Sequence, residues 1–288
     1  MGTDTVRRAV GRLAGAEGLD RVAEPVAKRV AGALGHGPLK DILSGTWLGH
    51  PVHPMLTDLP IGSWTSAFVL DLVGGERGRQ AADLLVGIGV LSALPTAAAG
   101  LSDWSDTLGE ERRIGAGHAL GNVTSLALYS MSWVARRQDK RGLGRALGYL
   151  GAAAATAGAY LGGHLVYRKG VGADRNAWKE GPDDWVDVGA ETELRDGEPL
   201  VARAGGDDVL IVRRGLALTA VSNVCGHAGG PLHEGTFDDD CVTCPWHGST
   251  FRLADGHLVH GPATGHQPVY DVRTEGGRVC VLRRRSMR

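Results

Sequence analysis

Four residues with metal-binding side chains occur as two short pairs in the last third of the chain. Cys225 and His227 are separated by one residue, and Cys244 and His247 by two. Thiolate and neutral imidazole ligands suit transition metals. Two Cys with two His fit either a [2Fe–2S] cluster, in which imidazoles replace two thiolates on one iron, or a tetrahedral zinc ion. The four residues therefore predict a metal centre.

The sequence around the two pairs favours the iron–sulfur cluster. Zinc sites more often pair Cys with Cys and His with His along the chain, whereas each pair here mixes the two types. The segments CGHAGGPL (225–232), CPWHGSTF (244–251) and GPAT (261–264) closely resemble the Rieske family.

The resemblance implies a role for each ligand. Cys225 and Cys244 would hold the inner iron, and His227 and His247 the outer iron near solvent. Because imidazole is neutral, such a cluster is reduced more easily than an all-Cys one. Ser249 would donate a hydrogen bond to a bridging sulfide.

Three positions differ from the high-potential members of that family. Those members have a disulfide between the ligand loops and a Tyr hydroxyl near a ligand sulfur. The matching residues here are Gly230, Trp246 and Phe251, which supply neither feature. Fewer hydrogen bonds to the cluster lower its potential, so we expect the lower-potential, ferredoxin type. Cys241 and Cys280 are expected to be free buried thiols.

A small all-β domain is predicted around the motif, over residues 183–288. Residues 209–212, 217–221, 269–272 and 278–282 read as strands, separated by Gly turns. A Rieske oxygenase needs a second, larger domain with a non-haem iron site. Residues 248–288 leave no room for one after the motif, so we expect an electron-transfer component rather than a complete enzyme.

The composition divides the chain into two different halves. The 288 residues are enough for two domains, and the net charge of −1 gives no indication of a nucleic-acid partner. Gly and Ala dominate residues 81–167. Apolar runs near membrane-spanning length cover residues 55–73, 81–101, 115–135 and 143–167. A soluble bundle would show a charged stripe on each helix, and the runs over residues 81–101 and 143–167 show none. We therefore predict an α+β multidomain protein with an N-terminal four-helix transmembrane bundle over residues 46–168.

The remaining segments surround this bundle. Residues 1–45 have apolar residues at helical spacing with basic residues between them, which suits an amphipathic helix on an anionic membrane or one packed on the bundle. No signal peptide is recognised. Residues 169–182 read as a linker. The segment GHPVHPM (49–55) with LPIG (59–62) resembles a family of uncharacterised predicted-membrane domains, which supports a multi-pass location in the cell membrane.

Histidines of three predicted spans fall at one end of the bundle. His53 precedes the first span, His118 lies inside the third, and His164 lies near the end of the fourth. Ionisable residues at membrane depth are costly and often functional. The alternatives for this set are haem b, a quinone, a metal ion, or histidines that only hydrogen-bond helix ends.

The sequence as a whole predicts a membrane-anchored electron-transfer protein. It would pass single electrons between a membrane partner, quinol or haem, and a soluble redox partner protein. The alternatives are a redox-sensing regulatory module and the ferredoxin component of a multi-protein oxygenase. Basic residues are equally divided between the two sides of the predicted spans, so charge bias does not orient them. Because the loop disulfide is missing, we expect the β domain on the cytoplasmic side.

Overall fold

The chain folds into a helical part followed by an all-β part, as expected for an α+β protein. The computed structural model describes residues 2–285. It forms two compact units. The helical unit comprises the chain up to Gly35 together with Val52–Val171, and the β unit comprises His36–Pro51 together with the chain from Gly172 onwards.

Seven α-helices precede the strands within the described residues. They are α1 (Gly2–Ala14), α2 (Asp20–Leu34), α3 (Pro38–Ser44), α4 (Val52–Val73), α5 (Gly75–Ser105), α6 (Gly109–Arg137) and α7 (Arg141–Lys169). Each of the four predicted apolar runs lies within one of the long helices α4 to α7. By length and composition, α5 is the one helix among the described residues that meets the requirement for crossing a membrane, so the predicted bundle of four transmembrane helices is supported at α5 only.

The core of the helical unit is built from stacked aromatic and small residues. The rings of Trp64 and Tyr129 stack with their centroids 4.2 Å apart. Near the N-terminus, Val10 of α1 packs with Ile114 and Leu165. The first helix therefore lies on the bundle, which is one of the two alternatives that its pattern left open.

Glycines bring α6 and α7 into close contact. A Cβ atom at Gly158 would lie 2.6 Å from Asn122 Oδ1, and one at Gly121 would lie 3.2 Å from Gly158 Cα. The buried hydroxyl of Ser125 donates to Gly151 O at 2.9 Å. Such close backbone approach suits helix packing in lipid.

Charged residues of all four long helices form a buried cluster at one end of the bundle. Arg136 donates to Asp83 Oδ1 at 2.8 Å and to both carboxylate oxygens of Asp71. Arg141 donates to the same two carboxylates, at 2.6 Å and 2.9 Å. The Arg136 and Asp71 side chains are 1% and 3% exposed. The aspartates that interrupt two of the apolar runs are thus paired with arginines.

The β unit contains two antiparallel sheets. Its strands are β1 (Val186–Ala190), β2 (Pro199–Ala204), β3 (Asp207–Arg214), β4 (Ala217–Ser222), β5 (Thr236–Asp238), β6 (Cys241–Thr243), β7 (Thr250–Arg252), β8 (Leu258–His260), β9 (Val269–Glu275) and β10 (Arg278–Arg283). A six-stranded sheet has the order β1-β10-β9-β4-β3-β2, and a four-stranded sheet runs β5-β6-β7-β8. The four predicted strands lie within β3, β4, β9 and β10.

The core of the β unit consists of two clusters of buried residues. Leu210, Val221 and Phe251 are fully buried beside Cys225 and Cys244. A second cluster, which includes Val209, Ile211 and Val279, covers the other face of the large sheet. Alternate residues of β3 thus enter different clusters, as the two-residue period of a strand requires.

Candidate metal centre

The first ligand loop follows β4 and closes on itself through its backbone. Cys225 N donates to Gly230 O, and Gly229 N donates to Cys225 O, both at 2.9 Å. Gly229 has φ of +88°, a conformation that favours glycine. This turn directs Cys225 into the core and leaves His227 partly exposed.

The second ligand loop joins β6 to β7 and repeats this arrangement. Cys244 N donates to Ser249 O at 2.8 Å, and Gly248 N donates to Cys244 O at 3.1 Å. Gly248 has φ of +78°. Cys244 is buried, whereas His247 is half-buried. Both predicted loops therefore present one buried thiol and one imidazole nearer to solvent.

The two thiols lie together in the core. Their mutual hydrogen bond is the largest cause of the rise in the pKa of Cys225, and burial adds to it. The same bond is the main cause that lowers the pKa of Cys244 to about 7. Backbone N–H groups also point at the sulfurs, from His227 and Ala228 to Cys225 and from Trp246 and His247 to Cys244. Such donors stabilise a thiolate, which is the form that binds metal.

The two imidazoles form a second pair. The ring centroids of His227 and His247 are 5.0 Å apart and the planes are perpendicular. The Nδ1 atom of each ring is buried although the rings are partly exposed. Thiol beside thiol and imidazole beside imidazole is the pairing that two irons require, since each iron takes two protein ligands. The residues present therefore fit a [2Fe–2S] cluster.

The surroundings of the cysteines agree with the predicted departures from the high-potential type. A Cβ atom at Gly230 would lie 2.8 Å from Cys244 Sγ and 3.1 Å from the Trp246 ring. Phe251 is fully buried in the cluster of residues that holds both thiols. Cys241 and Cys280 are free, as predicted, but they are half-buried rather than buried, because each lies in a strand beside exposed neighbours.

Ser249 is buried and tied to a third loop. Its Oγ accepts a hydrogen bond from Ala263 N at 2.9 Å. This contact uses the oxygen as an acceptor, so the hydroxyl hydrogen is left to donate. The GPAT segment that resembled the family is therefore in direct contact with the second ligand loop.

A polar network that the sequence interpretation missed holds the first ligand loop. Asn176 Nδ2 donates to Val224 O at 2.8 Å and to Gln267 Oε1 at 3.1 Å. Gly226 N donates to the same Gln267 oxygen at 3.1 Å. Asn176 lies in the segment read as a linker and is 5% exposed. Asn176 follows Asp174 and Arg175 in a segment that reads as a linker, so its sequence context gave no signal for this role.

The histidines of the helical unit are brought together only in part. The rings of His53 and His118 are perpendicular with centroids 6.3 Å apart. His53 Nδ1 lies 3.0 Å from Thr96 O, and His118 Nδ1 lies 2.8 Å from Gly158 O. His164 is on α7 and, within the part of the chain that the structure describes, makes no ring contact with His53 or His118.

Two known protein families match different parts of the chain. Residues 184–271 match the Rieske [2Fe–2S] domain, and residues 49–175 match a predicted membrane protein family, DUF2231. These are the two resemblances that the motifs indicated. The first match supports a [2Fe–2S] cluster as the cofactor of the β unit.

Similar proteins come from two kinds of electron-transfer system. The anthranilate 1,2-dioxygenase ferredoxin subunit of Burkholderia cepacia is 33% identical over 98 residues, which cover 34% of this chain and 91% of the relative. The cytochrome b6-f complex iron-sulfur subunit of Chlorobaculum thiosulfatiphilum is 35% identical over 98 residues, 34% of this chain and 53% of the relative. A solved structure, the ferredoxin of carbazole 1,9a-dioxygenase from Nocardioides aromaticivorans IC177, matches with 30% identity and a TM-score of 0.33, covering 35% of this chain and 98% of that chain.

Proposed function

Because the chain belongs to the Rieske [2Fe–2S] family, we propose that it is a membrane-anchored electron-transfer protein. Cys225 and Cys244 hold the inner iron, and His227 and His247 hold the outer iron. When bound, the cluster supplies one-electron oxidation and reduction. The single observation that carries this assignment is the pairing of two buried thiols with two adjacent imidazoles whose Nδ1 atoms are buried.

The residues of this chain set the reduction potential. Backbone N–H groups at both sulfurs and the Ser249 hydroxyl favour the more negative, reduced cluster. Phe251 lacks the hydroxyl that raises the potential of the respiratory type. We therefore place the protein among the lower-potential, ferredoxin-type members.

The helical unit anchors the protein in the membrane through α4 to α7. Large apolar side chains on these helices point away from the core, and those that are more than half exposed include Leu84, Leu91, Leu94, Leu120, Val123 and Leu150. A soluble bundle would place polar residues at such positions. Pairing with Arg136 and Arg141 reduces the cost of placing a carboxylate in lipid, for Asp71 in α4 and for Asp83 in α5.

The histidine pair of the helical unit is the proposed membrane-side redox site. An Nδ1–H that donates to a backbone carbonyl fixes the tautomer and leaves Nε2 as the electron-pair donor, the arrangement that metal-ligating histidines use. His53 and His118 both have such a carbonyl partner. His118 Nε2 also lies 3.0 Å from Asn122 Nδ2, so a ligand must displace this amide. His164, two residues after the glycine against which His118 packs, is the third member of the proposed set.

Haem b and a quinol are the two ligands that this site would take. A haem b would be held by the imidazoles of His53 and His118. A quinol needs a hydrogen-bond acceptor for its hydroxyl, which one imidazole Nε2 provides. In either case the site would exchange single electrons with the cluster.

The β unit is proposed to face the cytoplasm. None of the four cysteines forms a disulfide, and the positions of the loop disulfide are Gly230 and Trp246. Free thiols at half-buried positions suit a reducing compartment. Labelling of Cys241 in right-side-out vesicles by a membrane-impermeant maleimide would contradict this orientation, whereas labelling only after lysis is expected.

A ferredoxin role toward a separate oxygenase is the second candidate. It is favoured by the relative that is a dioxygenase ferredoxin subunit, since 91% of that subunit is covered. In that case a reductase rather than a membrane quinol would supply the electrons.

Turnover of the full-length protein tests the electron carrier. In detergent, a water-soluble quinol analogue should reduce the cluster, and an added cytochrome should reoxidise it over repeated cycles. The variant Cys244→Ser should show no turnover. Reduction only by a ferredoxin reductase would favour the second candidate, and a cluster that reacts with neither would contradict both.

A further inference from the structure

The segment His36–Pro51 belongs to the β unit although the four long helices separate it from the strands in sequence. It contains α3 and a short 3-10 helix, Thr46–Leu48. The match to the Rieske domain begins only at residue 184. This segment is therefore an addition of this chain to the domain that holds the ligands, and we call it the 36–51 segment.

The 36–51 segment contacts the second ligand loop. Gly248 follows directly after His247, and a Cβ atom at Gly248 would lie 2.3 Å from His36 Nδ1. The His36 ring is thus packed on the backbone of that loop. This contact of the 36–51 segment with the loop does not involve Asp41 or Thr46.

Two side chains of the 36–51 segment hold the third loop, residues 261–264. Asp41 Oδ1 accepts a hydrogen bond from Gly261 N at 2.7 Å, while Asp41 Oδ2 lies 3.1 Å from His260 Nδ1. Thr46 Oγ1 donates to Ala263 O at 3.1 Å. A Cβ atom at Gly261 would lie 2.1 Å from Thr46 Oγ1, so only glycine admits this approach.

The third loop passes this restraint to Ser249. Ala263 is bound on both sides, because its carbonyl accepts from Thr46 and its N–H donates to Ser249 Oγ at 2.9 Å. Both Ala263 and Ser249 are buried, at 1% and 0% exposure. That N–H occupies one lone pair of Ser249 Oγ, which restricts the directions in which the hydroxyl can donate its hydrogen.

We propose that Asp41 and Thr46 are positioning residues for the [2Fe–2S] site, which act through the third loop and Ser249 to raise its reduction potential. The proposal rests on the proposed function, since it needs a cluster at Cys225 and Cys244. The Ser249 hydroxyl favours the reduced cluster only while its direction is fixed. Loosening the third loop weakens that hydrogen bond and lowers the potential.

The change Thr46→Val tests this without altering charge. It keeps the shape of the side chain and removes the donor to Ala263 O. Redox titration of full-length protein, followed by EPR, should give a lower midpoint potential than the wild type. Thr46→Ser keeps the donor and should restore the wild-type potential. Thr219→Val is the matched control, because Thr219 Oγ1 also donates to a backbone carbonyl, that of Val212 in the large sheet.

A double-mutant cycle separates action through Ser249 from a general loosening of the fold. In the Ser249→Ala background, Thr46→Val should no longer shift the potential. An equal shift in both backgrounds, or none in either, would overturn the proposal. A wild-type protein without a cluster would instead overturn the proposed function.

The contribution of Asp41 is measured in the same way. Removing a carboxylate also raises the potential directly, because less negative charge favours reduction, and this effect persists in the Ser249→Ala background. The shift caused by Asp41→Ala in the Ser249→Ala background measures this direct effect. In protein that retains Ser249, the proposal predicts that Asp41→Ala gives a lower potential than this direct shift alone would give. Asp187→Ala is the control, since Asp187 also accepts from a backbone N–H and a side chain.

Hydrogen exchange gives a readout that needs no cluster. The amide of Ala263 should exchange faster in Asp41→Ala and Thr46→Val than in the wild type and in the two controls. Unchanged protection of this amide in both variants would show that the 36–51 segment does not restrain the third loop, and would overturn the proposal.

Discussion

Gly230 lies so close to Cys244 that a Cβ atom on it would be 2.8 Å from the sulfur. The two residues come from different ligand loops, so this contact measures how tightly the loops are joined. A side chain at position 230 would push Cys244 away from Cys225. Gly230 matches a position that is a disulfide cysteine in the respiratory type. Here the space that its side chain would need is occupied by the Cys244 sulfur and the Trp246 ring.

Gly230→Ala is therefore expected to impair cluster assembly. Because φ at Gly230 is not in the left-handed region, the substitution causes no backbone strain and acts only through the clash. The iron content of purified protein should fall well below that of the wild type. Gly206→Ala is unsuitable as a control because φ is +88° there. Ala228→Gly in the same loop should retain the iron, and full occupancy in Gly230→Ala would contradict the close contact.

Phe251→Tyr is expected to raise the reduction potential. Phe251 is fully buried in β7 and packs in the core that contains both cysteines. A hydroxyl that reaches a ligand sulfur adds a hydrogen bond, which favours the reduced cluster. Redox titration followed by EPR measures the shift. Phe237→Tyr, at the edge of the same core, should leave the potential unchanged. An unchanged or lower potential in Phe251→Tyr with an intact cluster would show that the hydroxyl does not reach the sulfur.

Arg136→Met is expected to destabilise the helical unit by about 3–5 kcal/mol, the range for a buried ion pair that loses one partner. Asp71 would remain 3% exposed with only Arg141 as a partner. Thermal unfolding in detergent should show a clearly lower midpoint. Arg145→Met in α7 removes a hydrogen bond to the Tyr149 hydroxyl and a contact with the same ring, and it should have little effect because no buried carboxylate loses a partner. Equal midpoints for the two variants would contradict a structural role of the cluster of charges.

The histidine pair is tested by spectra and by quinol reduction of the full-length protein. If haem is bound, a Soret band should be present in the wild type and absent in His53→Ala and His118→Ala. If a quinol is bound, the protein should lack that band, and cluster reduction by the quinol analogue should be lost in both variants. His164→Ala tests the third member. The absence of both a band and a quinol response would leave the helical unit as an anchor only.

The candidate ligand set and four of the ten described strands could be predicted from the sequence, because the information is local. Cys225, His227, Cys244 and His247 are identified by neighbours within a few residues, and turn glycines separate the strands. The four long helices were predicted for the same reason, since their apolar runs are continuous. The half-burial of Cys241 was missed because it depends on which face of a three-residue strand is covered.

The remaining features depend on contacts between residues far apart in sequence. Asp41 and Gly261 are 220 residues apart, and the helical pattern around residue 38 gives no sign that this segment joins the β unit. The pairing of Asp71 with Arg136 spans 65 residues, so the sequence around either residue gives no sign of the other. A turn can be recognised from neighbouring residues in the sequence. Partners such as these can be identified only when the three-dimensional structure is known.

The EPR spectrum of the reduced full-length protein tests the central claim most directly. The account predicts the low-average-g signal of a [2Fe–2S] cluster with mixed Cys and His ligands. The signal should be lost in Cys244→Ser and His247→Cys, and retained in Cys241→Ser, where the thiol is half-buried outside the ligand loops. A colourless protein that contains stoichiometric zinc and gives no such signal would contradict the assignment of Cys225, His227, Cys244 and His247 to an electron-transfer centre.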